Sequence, residues 1–181
     1  MASSDPADIW TYYQRVLDAL DIVFALARNP VDVQLGTRAN QLVGMTLEEA
    51  RSVLAETRKE LDLEVSLGLA AALEAIIIRD CEERLDRGGH DALTKRLRKL
   101  EQSDRVTHRD VLDAWKQVHA SAGTQVGEFK QVVNFRDWLA HGRRWLPKGY
   151  AGFIPDTVLE RARALQNAIR GFPVLVPSGV P

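Results

Sequence analysis

Apolar residues recur every three or four positions along most of the chain. Ile9, Tyr13, Leu17, Leu20, Phe24 and Ala27 follow this spacing, which is that of one face of a helix. Asp5-Pro6 gives that helix its start, with Asp as cap and Pro at the first helical position. Pro30 ends it, because the residue before a proline disfavours helical dihedrals. Residues 31–44 have no clean period and predict a connector with a short helical turn near 38–42. Thr46 and Glu49 form a capping box, and helical character then runs to about Leu85, with a kink expected near Gly68. The first part of this helix is amphipathic through Leu47, Ala50, Leu54, Leu61 and Val65. Its second part, residues 67–78, is apolar nearly all round and predicts burial on more than one side. Arg87-Gly88-Gly89 carries C-cap chemistry.

Asp91 caps an expected helix through Glu101, and Thr107 to Asp110 open another to about His119. Residues 121–127 are small and read as a flexible loop. A helix from about Glu128 takes its apolar positions from Phe129, Val132, Val133, Phe135, Leu139 and Ala140 and reaches the limit set by Pro147 and Gly149. Asp156 caps a last helix over 157–170, with Val158, Ala162, Leu165 and Ile169 along one stripe. No segment alternates with a period of two, so the fold class is all-α: a helical bundle of about five to six helices. It forms one domain over residues 1–170, followed by an extended Pro-rich tail at 171–181.

Composition narrows the partners. Hydrophobic residues make up 45% and charged residues 27%, the proportions of a folded globular chain. The net charge of −1 excludes a surface coated in basic patches, so nucleic-acid binding must come from a local cluster. The lone Cys81 excludes an internal disulfide framework and a Cys-based zinc site, and fits a reducing compartment. The first eight residues lack the basic and apolar regions of a signal peptide. The longest apolar run is broken by Glu74 and is too short to span a bilayer. The expectation is a cytoplasmic protein with no membrane partner.

Fixed positive charge, an imidazole and aromatic surface concentrate in residues 134–145, N-F-R-D-W-L-A-H-G-R-R-W. Metal-free RNA cleavage needs a base for the 2′-hydroxyl proton, an acid for the leaving 5′-oxygen and a cation for the charge that builds on phosphorus. His141 can serve as acid or base near neutrality, and Arg136 is permanently charged and matches phosphate. Asp137 lies four residues before His141, so on a continuous helix it shares a face with the imidazole and orients it. Arg136 and His141 are five residues apart, about 140° around an ideal helix. One copy therefore does not aim both at one phosphate unless the helix distorts near Gly142. A two-fold dimer would bring two sets together across its axis. Arg143, Arg144 and Lys148 extend the cluster as a phosphate-binding strip, with Trp138 and Trp145 as rings for an unpaired base. The competing reading is a solvated charged face, with the tryptophans in a core or an interface.

Glu74 stands out for its setting among Ala70, Ala71, Ile77 and Ile78, where a carboxylate needs a partner. Arg136 is the attractive candidate, which would make Glu74 a support for Arg136 or His141; a structural ion pair is the alternative. Lys95, Arg96, Arg98 and Lys99 read as a solvated face. His90, His108 and His119 lack metal-ligand spacing, and His108 reads as a surface residue at a helix start. No metal site and no cofactor loop are expected.

The pattern Arg136–Asp137–three residues–His141, flanked by Asn134-Phe135 and Ala140-His141-Gly142 late in a helical chain, resembles the motif of the HEPN family. The resemblance covers about a dozen residues closely and the helical plan more loosely. It implies an α-helical bundle that forms a two-fold homodimer with a composite active site. It also implies a metal-independent endoribonuclease with RNA as substrate and no cofactor, in which Arg136 and His141 are catalytic, Asp137 is the auxiliary polar residue and Asn134 belongs to the usual surroundings. Some members are toxins or phage-defence effectors, which would add an antitoxin protein as a partner. Others lack nuclease activity, so a non-catalytic HEPN-like module binding nucleotide, RNA or a partner protein stays open. So does a purely structural interaction protein.

Overall fold

The computed structural model describes residues 5–28, 42, 44–102, 106–141, 153–178 and 180, with the backbone alone for Ala27 and Arg28. Among these residues the fold is six α-helices: α1 Pro6–Arg28, α2 Leu47–Asp86, α3 Ala92–Glu101, α4 His108–Val118, α5 Gly123–Ala140 and α6 Pro155–Ala168. No strand occurs among them. The expected connector at 31–44, with its turn near 38–42, lies mostly outside the described residues.

The long α2 is the organising element, because every other α-helix packs against it. Its two halves live differently. Residues 51–60 are largely exposed, with Val53 at 42%. The apolar second half is buried, with Leu69, Leu73 and Ile77 fully inaccessible against α5 and α6 residues such as Phe129, Val133, Leu159 and Leu165. Such an all-round apolar segment belongs between layers. The helix is unbroken at Gly68, where an added Cβ would meet Ile9 of α1 at an ordinary 3.8 Å.

Local chemistry sets the helix ends. Thr46 and Glu49 cap α2 reciprocally: Glu49 Oε2 accepts from the Thr46 N–H at 2.7 Å, and Thr46 Oγ1 accepts from the Glu49 N–H at 3.2 Å. The α2 helix ends at Asp86 with Arg87 as its cap, and Gly88 follows with a φ of +70°, the left-handed conformation that glycine adopts without a steric penalty. Asp91 caps α3 by accepting from the Leu93 and Thr94 N–H groups at 3.0 Å. Thr107 and Asp110 repeat the box on α4. Thr107→Ala removes the hydroxyl's part of that box, leaving the Thr107 N–H on Asp110, and is expected to lower stability by about 1 kcal/mol, a fall in Tm of roughly 2–4 °C in a thermal melt.

Three expectations are corrected. Residues 121–127 are not a loop: a 3-10 turn, Ala120–Ala122, leads straight into α5 at Gly123. Ala122 and Val126 are buried, and that anchorage outweighs the turn-forming composition. The α5 helix stops at Ala140, with His141 as its non-helical cap, several residues before Pro147. Asp156 does not cap α6. Ile154 occupies the cap position without a side-chain bond, Pro155 opens the helix, and Asp156 sits in the first turn as an acid near the positive end of the helix dipole.

The residues after α6 are irregular but packed. Phe172, Leu175 and Val176 are buried with the core. Gln166 Oε1 accepts from the Leu175 and Val176 N–H groups at 2.8 and 3.0 Å. Trp115 of α4 lies between this segment and α2: Phe172 meets its ring at 4.9 Å, and the Arg84 guanidinium sits 4.8 Å above it. Arg84 also donates to the Gly171 carbonyl at 2.6 Å. The segment therefore closes one side of the bundle.

Candidate functional site

The site is where α2, α4 and α5 meet. Glu74 of α2 is 5% exposed in an apolar stretch, so it needs a cation. Arg136 of α5 supplies one, donating from Nη2 to Glu74 Oε2. Arg136 also donates from Nη1 to Asp137 Oδ1 at 2.8 Å. Both outer guanidinium nitrogens are thus held by carboxylates, one buried and one half-buried.

The α4 helix brings the second half of the cluster. Arg109 donates from Nη2 to Asp137 Oδ2 at 2.7 Å and to Asn134 Oδ1 at 2.8 Å. Asp137 therefore bridges two guanidiniums from different helices, one on each oxygen. His108, the residue before Arg109, places Nδ1 3.6 Å from Glu74 Oε2. That separation is a close electrostatic contact and too long for a hydrogen bond. Glu74 Oε1, His108 Nε2 and Arg136 Nε are buried and have no hydrogen-bond partner among the described residues.

Burial sets the electrostatics. It raises the Glu74 carboxyl above the usual carboxylate value, and the hydrogen bond and charge of Arg136 offset part of that rise. It lowers the His108 imidazole, and the nearby Arg136 charge lowers it further. The two act on stability in opposite senses. The contribution of His108 is present above its ordinary pKa of 6.5 and is lost as pH falls toward its depressed value. That of Glu74 is present below its ordinary 4.5 and is lost as pH rises through its raised value.

The structure brings Glu74, Asn134, Arg136 and Asp137 together and leaves His141 apart from them. His141 is exposed at the end of α5, and its N–H donates to the Asp137 carbonyl at 3.0 Å. The described contacts of the two Asp137 oxygens go to Arg136 and Arg109, and none goes to the His141 imidazole. The ideal-helix angle between residues 136 and 141 no longer applies, since His141 has left helical dihedrals. Trp138 is 3% exposed and stacked 5.6 Å from Phe135, so it is a core ring and not a platform for a base. Arg143, Arg144, Lys148 and Trp145 lie outside the described residues. His108 is corrected from a surface residue to a half-buried neighbour of Glu74. The reading of the sequence missed His108 and Arg109, although the Thr107–Asp110 capping box already put them in the first turn of a helix.

Among the described residues no group of three or more His, Cys, Asp or Glu side chains has the arrangement of a metal site. No described helix is long and apolar enough to cross a membrane. Comparison of the chain with protein-family models, with curated proteins and with solved structures gave no match.

Proposed function

We propose that this protein is a metal-independent endoribonuclease of the HEPN type, acting as a two-fold homodimer in which two copies of residues 134–141 share one RNA-binding groove. The observation that carries the reading is the setting of Arg136. A permanently charged guanidinium is held by Glu74 and Asp137 on the last turns of α5, five residues before an exposed histidine at the helix end. Such a fixed charge can stabilise the extra negative charge of a phosphorane without reorganising during the reaction.

In this reading one His141 accepts the 2′-hydroxyl proton while the 2′-oxygen attacks phosphorus. The bond from phosphorus to the 5′-oxygen breaks, and the His141 of the second copy gives that oxygen a proton. The products are a 2′,3′-cyclic phosphate and a 5′-hydroxyl. Neither step needs a metal, so cleavage of single-stranded RNA is expected to persist in excess EDTA. Gel analysis of end-labelled RNA checks this, and cleavage that requires added magnesium overturns the mechanism. A toxin or phage-defence role, with a neutralising antitoxin protein, belongs to the same proposal.

A second reading is favoured by the burial of Trp138 and by the two carboxylates on Arg136. Here the α4–α5 face is a non-catalytic module that binds nucleotide, RNA or a partner protein. It predicts RNA binding without turnover in the same assay.

A further inference from the structure

The two arginines of the cluster differ in what they have left to offer. Arg136 gives Nη1 to Asp137 and Nη2 to Glu74, and its Nε is buried. Its fork is committed inside the protein. Arg109 is the reverse case. Both of its contacts, to Asn134 and Asp137, come from the single nitrogen Nη2. Its side chain is 48% exposed, and its Nε and Nη1 groups have no partner among the described residues. It is also posed: two acceptors on α5 fix one corner of the guanidinium, which lowers the entropy lost when a ligand engages the rest.

We propose that Arg109 is the side chain that grips a phosphate of the RNA backbone at this site, while Arg136 acts behind it as fixed charge. The proposal rests on the ribonuclease reading for the identity of the ligand. The local charge balance supports a short-range grip. Arg109 and Arg136 face Asp137 and Glu74, two positive groups against two negative ones. Such a balanced cluster attracts little at a distance, so capture depends on donors that meet the phosphate oxygens directly. In the described structure only Arg109 offers an open guanidinium edge there. The alternative role for Arg109 is a brace between α4 and α5, worth little for so exposed a pair.

The test separates binding from cleavage. A fluorescent single-stranded 2′-O-methyl RNA has no 2′-hydroxyl nucleophile, so its anisotropy reports binding alone. Arg109→Ala is expected to weaken this binding about tenfold, the loss of one charge-assisted hydrogen-bonding group. It should also reduce the slope of log Kd against log salt by roughly 0.7, one phosphate on a single strand. Arg109→Lys should keep the slope and lose part of the affinity, since it retains the charge without the fork. A brace would show the opposite pattern: a lowered Tm in Arg109→Ala with unchanged affinity and slope, which overturns the proposal. Unmodified RNA is assayed in parallel. Wild-type binding without cleavage removes the nuclease reading and leaves Arg109 in place. Wild-type cleavage with unchanged Arg109→Ala binding removes Arg109 alone. No wild-type binding removes both.

Discussion

His141→Ala is expected to slow RNA cleavage by at least about two to four orders of magnitude, the usual worth of one positioned proton-transfer group, since the variant dimer loses both base and acid. The melting temperature should barely move. His141 is exposed at the end of α5, and its described bonds, from the N–H to the Asp137 and Leu139 carbonyls, belong to the backbone and survive the substitution. Exposed positions of this kind change stability by less than about 0.5 kcal/mol. That separation gives the experiment its force, because lost cleavage in a variant that melts like the parent cannot be blamed on unfolding. Mixing His141→Ala chains with wild-type chains adds a second readout. If the site is composite across a two-fold axis, a mixed dimer keeps only one of the two proton-transfer groups, so cleavage should fall more steeply than the wild-type fraction of the mixture. Undiminished cleavage by His141→Ala, with Tm unchanged, would remove the proposed acid–base role.

The second large effect is on stability. Glu74→Ala is expected to cost about 3 kcal/mol, because breaking a buried pair from one side leaves the remaining charge in a poor environment. For a chain of this size that is a Tm lower by roughly 6–12 °C. Arg136 keeps Asp137 as a partner and is 27% exposed, which is why the estimate sits at the low end for a buried pair. A companion variant sharpens the reading. Replacing both Glu74 and Arg136 with leucine removes the charges together, and apolar substitutes of similar bulk in a buried pair commonly restore stability. The double variant should therefore melt above Glu74→Ala while showing none of the proposed cleavage. A Glu74→Ala protein that melts with the wild type would mean that the pair contributes nothing.

What could be read from the sequence here was mostly local. The capping boxes at Thr46 and Thr107 and the Asp91 cap are contacts within three residues, and each appears where the spacing put it. The pairing of Glu74 with Arg136 spans 62 positions, yet it was legible through a different rule. A carboxylate in the middle of an apolar helix needs a cation, and Arg136 was the prominent candidate. Arg109 obeys no such rule. An arginine in the first turn of an amphipathic helix is ordinary, and its value comes from α4 lying against α5 so that Asn134 and Asp137 fall within reach. The helical start of α5 was hidden for the same reason. Glycine, serine and alanine signal a turn, and only the burial of Ala122 and Val126 overrides them. The end of α5 at Ala140 was missed because Pro147 and Gly149 drew the boundary too far along.

The packing of Phe172, Leu175 and Val176 has a consequence for synthesis in the cell. Ribosomes deliver the chain from the N-terminus, and domains settle as units once their parts have emerged. The Trp115 ring is covered by Phe172, and Gln166 waits for the Leu175 and Val176 amides. Until those residues leave the exit tunnel, α4 has an open flank and α6 has an unanswered acceptor. If the α4–α5 face cuts RNA, the bundle that supports it is completed only after nearly all of this sequence has been read. A nascent chain whose residues 172–176 have not yet emerged would then lack the finished face while it sits beside the RNA that encodes it.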